Sequence, residues 1–295
     1  MDFYPNHAIM AVLSRRRPRP SRRPLRGPRR FRRRRTKRFP KRRFYRRTRR
    51  SKFGGWERKS NTIVGGHSTN NNRYAPLSTG NTLFTFSPTM MHRYADQPVN
   101  EHVRGSSEIH FTGFKEKFEI AMGSQPFVWR RIVVWSYKQL PFMAPVLKGT
   151  EPGNMYNRMF RNIVPTSDTQ VLRDFLFVGQ RDVDYARLTE HNAKVDTKNM
   201  TVAYDRTRNL NPNGDPAEFN KILTFNFWHP GGYIIYDDDE FGSNVGVSQF
   251  YSGPTRRSKG NMYIFDIFSG GLASTADLNN VGRISTQSTV YWKER

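Results

Sequence analysis

The stretch from Arg15 to Lys52 limits what this chain can fold into more than any other. Its 38 residues hold 23 Lys or Arg and no Asp or Glu, and a segment that repels itself this strongly cannot bury a core of its own. Residues 1 to 52 carry a net +22 out of the chain's +26, so the other 243 residues sum to only +4. The chain is therefore a polycation joined to a near-neutral body. A body of this size commonly forms one all-β sandwich, and the 22 Phe, 13 Tyr and 5 Trp of the chain lie mostly within it. The expected organisation is a disordered Arg-rich arm over residues 1–55 and one domain over 56–295.

Within the arm, Pro18, Pro20, Pro24, Pro28 and Pro40 disfavour both helix and sheet. An extended chain of arginines must find a polyanion. The candidate phosphate-holding residues are Arg15, Arg16, Arg17, Arg22, Arg23, Arg29, Arg30, Arg32, Arg33, Arg34, Arg35, Lys37, Arg38, Lys41, Arg42, Arg43, Arg46, Arg47, Arg49 and Arg50. Runs such as Arg29 to Arg35 and Lys41 to Arg50 also belong to the class read by nuclear import receptors, and the two uses are compatible. Phe31, Phe39, Phe44 and Tyr45 interrupt the basic run. Rings among guanidinium groups suit stacking on unpaired bases, which favours single-stranded nucleic acid over duplex. The alternative use of these rings is to anchor the arm to the body.

Past Gly54-Gly55 and a Gly/Ser/Asn-rich stretch from Gly65 to Asn72, expected to be hinge and loop, the body reads as short strands between turns. Strands are expected at Leu83 to Phe86, Glu108 to Ile120, Phe127 to Tyr137, Leu172 to Val178, Met200 to Tyr204, Ile222 to Trp228, Tyr233 to Tyr236, Val247 to Tyr251, Met262 to Phe268 and Thr289 to Trp292. Their separators are Asn211 to Pro216, Pro230-Gly231-Gly232, Gly242 to Gly246 and Gly270-Gly271. In the second strand the apolar parity flips at Gly113, which predicts a bulge there. Phe127 to Tyr137 is apolar on both faces, as a strand buried on both sides would be. Met155, Met159, Phe160 and Ile163 sit at helical spacing, and one short helix is expected over them. Ten short strands favour an antiparallel sandwich or barrel.

Searches for chemistry return little. No cysteine is present, so disulfides and thiolate chemistry are excluded. There is no Gly-Lys pair for a P-loop and no Gly-x-Ser-x-Gly, and the seven histidines never fall at metal-site spacing. Asp237, Asp238, Asp239 and Glu240 could hold a hard cation, but consecutive carboxylates carry little specificity. No cofactor and no enzymatic activity are expected. The apolar run Ala8 to Leu13 is short for a signal sequence, and no run approaches the ~20 residues of a membrane helix.

Several stretches resemble the coat proteins of genomoviruses, small viruses with circular single-stranded DNA. They are Gly113 to Ile120 (Gly-Phe-Lys-Glu-Lys-Phe-Glu-Ile), Pro126 to Val133 (Pro-Phe-Val-Trp-Arg-Arg-Ile-Val), Val195-Asp196 with Thr201 to Arg208, Tyr236 to Gly242, Tyr263 to Phe268 and Val290 to Arg295. They run in order over residues 110 to 295, while the arm agrees in composition only. The resemblance implies an eight-stranded antiparallel jelly roll, related to those of geminivirus and circovirus coat proteins. It further implies self-assembly into a small icosahedral (T=1) shell enclosing viral single-stranded DNA, with the virion and the host nucleus as locations. The competing reading is a non-assembling cellular nucleic-acid-binding protein with a basic tail. A third, a metal-dependent nuclease, would use residues 237 to 240.

Overall fold

The computed structural model describes residues 55–67, 74–77, 81–91, 104–123, 126–140, 147–148, 156–160, 167–185, 187–212, 221–236, 250–270 and 282–295. Ser51–Arg295 is a compact unit in its own right. In chain order it contains β1 (Glu57–His67), β2 (Ala75–Pro76), β3 (Asn81–Phe86), β4 (Glu108–Met122), β5 (Phe127–Ser136), β6 (Leu147–Lys148), β7 (Tyr156–Phe160), helix α1 (Ser167–Leu176), a 3-10 helix (Arg187–Asn192), β8 (Thr201–Leu210), β9 (Lys221–Ile235), β10 (Asn261–Gly270) and β11 (Gly282–Glu294).

Two sheets result, one ordered β6-β7-β1-β11-β4-β9 with β2 also on β11, the other β3-β10-β5-β8. The eight principal strands pair from the outside inward: β1 with β11, β3 with β10, β4 with β9 and β5 with β8, all antiparallel. One long hairpin rolled upon itself gives this nesting, which is the jelly roll expected from the sequence. Three short strands are added to it, and one of them, β7, runs parallel to β1.

The inward faces of the sheets form a continuous core. Phe111, Phe114, Phe118, Ile120 and Trp292 on the first sheet meet Phe86, Trp129, Val133, Trp135 and Phe268 on the second. The second sheet is apolar on its other face too, where Ile132, Val134, Tyr263 and Phe265 meet Leu172, Phe175 and Leu176 of α1 together with Val195 and Met200. This third layer explains why β5 is buried at nearly every position.

The bulge expected at Gly113 is present. Tyr291 of β11 pairs with Gly113 and the next residue, Trp292, with Phe111, so Thr112 is passed over and the core face is restored. Other expectations are corrected. Of the helix placed over Met155 to Ile163, Tyr156–Phe160 is instead β7, paired with the backbone of Ile63 to His67, and the other positions lie outside the described residues. Gly65 to His67 thus end a strand and do not form a loop. The true helix lies where a strand was expected at Leu172 to Val178: Leu172, Phe175 and Leu176 fall three and four apart on one buried stripe, and Gln170 donates to Asp174 one turn on. Pro230-Gly231-Gly232 is no turn; β9 runs straight through it, and Gly231 lies so close to the Phe111 carbonyl that any Cβ would overlap it. Phe250 and Tyr251 lie outside any strand, while β8 and β11 run well beyond the stretches expected at Met200 to Tyr204 and Thr289 to Trp292.

Candidate functional site

The arm residues from Arg15 to Arg50, the rings Phe31, Phe39, Phe44 and Tyr45, and the carboxylates Asp237 to Glu240 all lie outside the described residues. Among the described residues, no His, Asp and Glu side chains gather into a cluster fit for a metal ion. What the body does contain is a division of its own basic groups between its interior and one outer face.

Inside, arginine works as a brace. Arg131 of β5 donates from Nε and Nη2 to both oxygens of Asp266, its cross-strand partner on β10, at 2.7 and 2.9 Å. Its Nη1 reaches across to Glu116 of β4 at 2.6 Å, so one guanidinium ties the two sheets together. Trp129 Nε1 donates to Asp266 and Ser288 Oγ to Glu116, at 3.0 and 3.3 Å. The rings of Phe227 and Phe118 flank the guanidinium at 4.3 and 4.6 Å. Charges this deeply buried require such full pairing. Neighbouring Arg130 faces the third layer, where it holds Asp205 with two bonds and donates to the carbonyls of Glu190 and Ala193. Arg173 of α1 pairs with Glu190 at 2.7 Å.

At the end of the first sheet, buried Lys59 of β1 meets Glu294 of β11 at 3.1 Å. The Glu294 carboxylate also accepts from the Gly105 amide and from Trp292 Nε1. The first and last strands of the body are locked by this contact. Arg104 lies 3.8 Å over the Tyr236 ring and donates to the carbonyls of Met91 and Ser106.

The outer face of the first sheet is different in kind. Strand alternation puts Arg58 and Thr62 of β1, Thr289, Tyr291 and Lys293 of β11, Lys115 and Lys117 of β4 and Trp228 of β9 on this side. Arg58 and Lys293 are direct cross-strand partners, and Lys293 is paired in turn with His110. Three basic residue types therefore stand in one row across three strands. Burial, and after it the Lys293 ammonium, hold the His110 imidazole below its ordinary pKa. Of the acidic residues on this face, Glu119 pairs with Lys117 at 2.6 Å and Glu108 accepts from the Tyr233 hydroxyl.

A cleft of about 390 Å³ opens on this face, lined by Arg58, Lys59, Thr112, Lys115, Trp228, Tyr291, Trp292 and Lys293. Trp228 is 51 % exposed although it is the bulkiest side chain on its strand. Its ring lies over Gly113, where an added Cβ would come within 2.6 Å of the indole, and 6.0 Å from the Tyr291 ring. The glycine that makes the bulge is thus also the seat of the indole. Sequence reasoning missed this grouping, because its members come from four strands separated by up to 235 positions. The visible signal was an exposed Trp in a strand whose other aromatics share the opposite parity.

No protein-family model matches the chain, and no curated protein matches it either. Among solved structures, it is similar to the VP1 pentamers of human polyomavirus 6 and human polyomavirus 7, each at 10 % identity and a TM-score of 0.18. The similarity covers 81 % of this chain and 95 % and 96 % of those chains. The unassembled VP1 pentamer of KI polyomavirus matches at 11 % identity and a TM-score of 0.12, over 81 % of this chain and 76 % of that one. At such scores the likeness carries no weight for fold or function. The jelly-roll assignment rests on the strand pairing alone.

Proposed function

We propose that this chain is a structural coat protein of a small single-stranded DNA virus, of genomovirus type, which assembles into a T=1 icosahedral shell and packages its genome through residues 15 to 52. The observation that carries this reading is the partition of charge: +22 in the first 52 residues beside +4 in the rest. Each phosphate neutralised by Lys or Arg releases condensed counterions, giving affinity without sequence preference, as packing a whole genome demands. Nuclear import through the same basic runs is part of the proposal, with host import receptors as the partners concerned. No enzymatic step is assigned to the body.

Two features of the body support self-association. Among the described residues β8 and β9 lie at margins of the two sheets, and they are long, with 10 and 15 residues. Edge strands of this length are normally covered or blunted. β8 exposes Thr201, Ala203, Asp205, Thr207 and Asn209 at alternate positions, while Val202 and Tyr204 between them pack on the core, and an exposed polar face of this kind suits a strand that another copy would cover. The resemblance over residues 110 to 295 points the same way.

Electron microscopy of the purified full chain tests assembly directly: uniform closed particles holding nuclease-protected DNA are expected. Deleting residues 1 to 52 should leave the body's circular dichroism unchanged and abolish protected DNA. A discrete small complex with nucleic acid at every salt and protein concentration would favour the non-assembling reading. Metal-dependent cleavage lost in Asp238→Asn would favour the nuclease.

A further inference from the structure

We infer that the outer face of the first sheet is a second binding surface for single-stranded nucleic acid, in which Trp228 and Tyr291 stack a base while Arg58, Lys115 and Lys293 hold the flanking phosphates. This rests on the packaging function proposed above and extends it from the arm to the folded body.

The first support is the pair Arg58 and Lys293, direct partners across β1 and β11, with Lys115 lining the same cleft. Like charges directly opposite on a sheet are unfavourable, and an anion bound between them offsets that repulsion. The second is the indole. Trp228 is opposed by Lys115 across β4 and β9, and it stands half exposed on the outer face of the sheet. Gly113 supplies the space that lets the ring lie against the sheet beside Tyr291. Two neighbouring rings inside a basic cleft of about 390 Å³ match what an unpaired base and its phosphates require. A duplex hides its base faces, so it gains the phosphate contacts only. Thr112 in the cleft, and Thr62 paired with Thr289 on the same face of the sheet, add small hydrogen-bonding groups with no negative charge.

The full chain, held unassembled, is irradiated with an oligothymidylate in which iododeoxyuridine replaces some bases, and the adducts are mapped by mass spectrometry. Adducts on Trp228 or Tyr291 as well as within residues 15 to 52 are expected. Adducts confined to the arm would overturn the inference and leave the packaging function standing; adducts at neither place would overturn both. Trp228→Ala should cut the gain in affinity for single strand over duplex roughly five- to hundredfold, with thermal unfolding serving as the control for folding. Combining Arg58→Gln, Lys115→Gln and Lys293→Gln should lower the slope of log affinity against log salt by about 2, since each single-strand contact contributes ~0.7. An unchanged slope in a folded triple variant would also overturn the inference, as would protection of this face by another copy of the chain in particles that still hold DNA.

Discussion

Arg131 shows how much one side chain can decide. Its guanidinium is paired with two carboxylates from different sheets and enclosed by rings, so removing it strands Glu116 and Asp266 in a medium that cannot solvate them. Arg131→Met should destabilise the body by roughly 3–5 kcal/mol in denaturant titration, whereas replacing all three charged groups with apolar residues of like volume should recover most of that loss. The histidines give a pH dependence whose sign is fixed. Burial, then Lys293, lowers the pKa of His110; burial, then Arg130, lowers that of His191. A group with a folded pKa below its unfolded value contributes stability above the unfolded pKa, near 6.5, and loses it as pH falls through the folded one. The thermal midpoint should therefore fall on acidification below about pH 6.5, and His110→Gln and His191→Gln together should flatten that fall. At this scale the sequence was least readable: Phe127 to Tyr137 was legible as a strand buried on both sides, but the partners that let Arg130 sit under the third layer and Arg131 between the sheets come from distant segments.

At the scale of elements, the two glycines of the β4–β9 pair make different demands. A Cβ on Gly113 would press on an exposed indole, which can move, and on the His229 carbonyl at 2.8 Å; one on Gly231 would overlap the Phe111 backbone. Gly113→Ala should cost about 1–3 kcal/mol. Gly231→Ala should cost more, and chemical denaturation of the two variants ranks them. β4 was legible because one residue in two meets the core, with the flip at Gly113, and β3, β5 and β10 because short runs rich in apolar residues are bounded by turn residues. The errors share a physical cause. Residues 156 to 160 have helical spacing, but β1 offers an unpaired edge and tertiary pairing overrides periodicity. In β9 the glycines answer to a close approach between strands, which local composition renders as a turn. The exposed basic face could not be read, since register between distant strands is invisible in one dimension.

For the whole molecule, the nested pairing makes folding strongly cooperative. β1 has its full antiparallel partner only in β11, and their register is fixed by Lys59 against Glu294. Ending the chain after residue 281 should leave a body without defined tertiary structure, seen as loss of the near-ultraviolet circular dichroism and as digestion under limited proteolysis. The sandwich was readable from its short apolar runs and the turn residues between them, whereas the excess charge ahead of it is a property of the sequence itself.

The same β1–β11 pairing has a consequence during synthesis. The arm leaves the ribosome first, yet the strand that completes the sheet beside it is made last, some 225 positions after β1 begins. At roughly 5–20 residues per second, the arm precedes a finished body by on the order of 10–50 s. For that interval the nascent chain is a polycation beside an unfinished sandwich. On the coat-protein function proposed above, translation order alone separates the moment the arm meets nucleic acid from the moment the body encloses it.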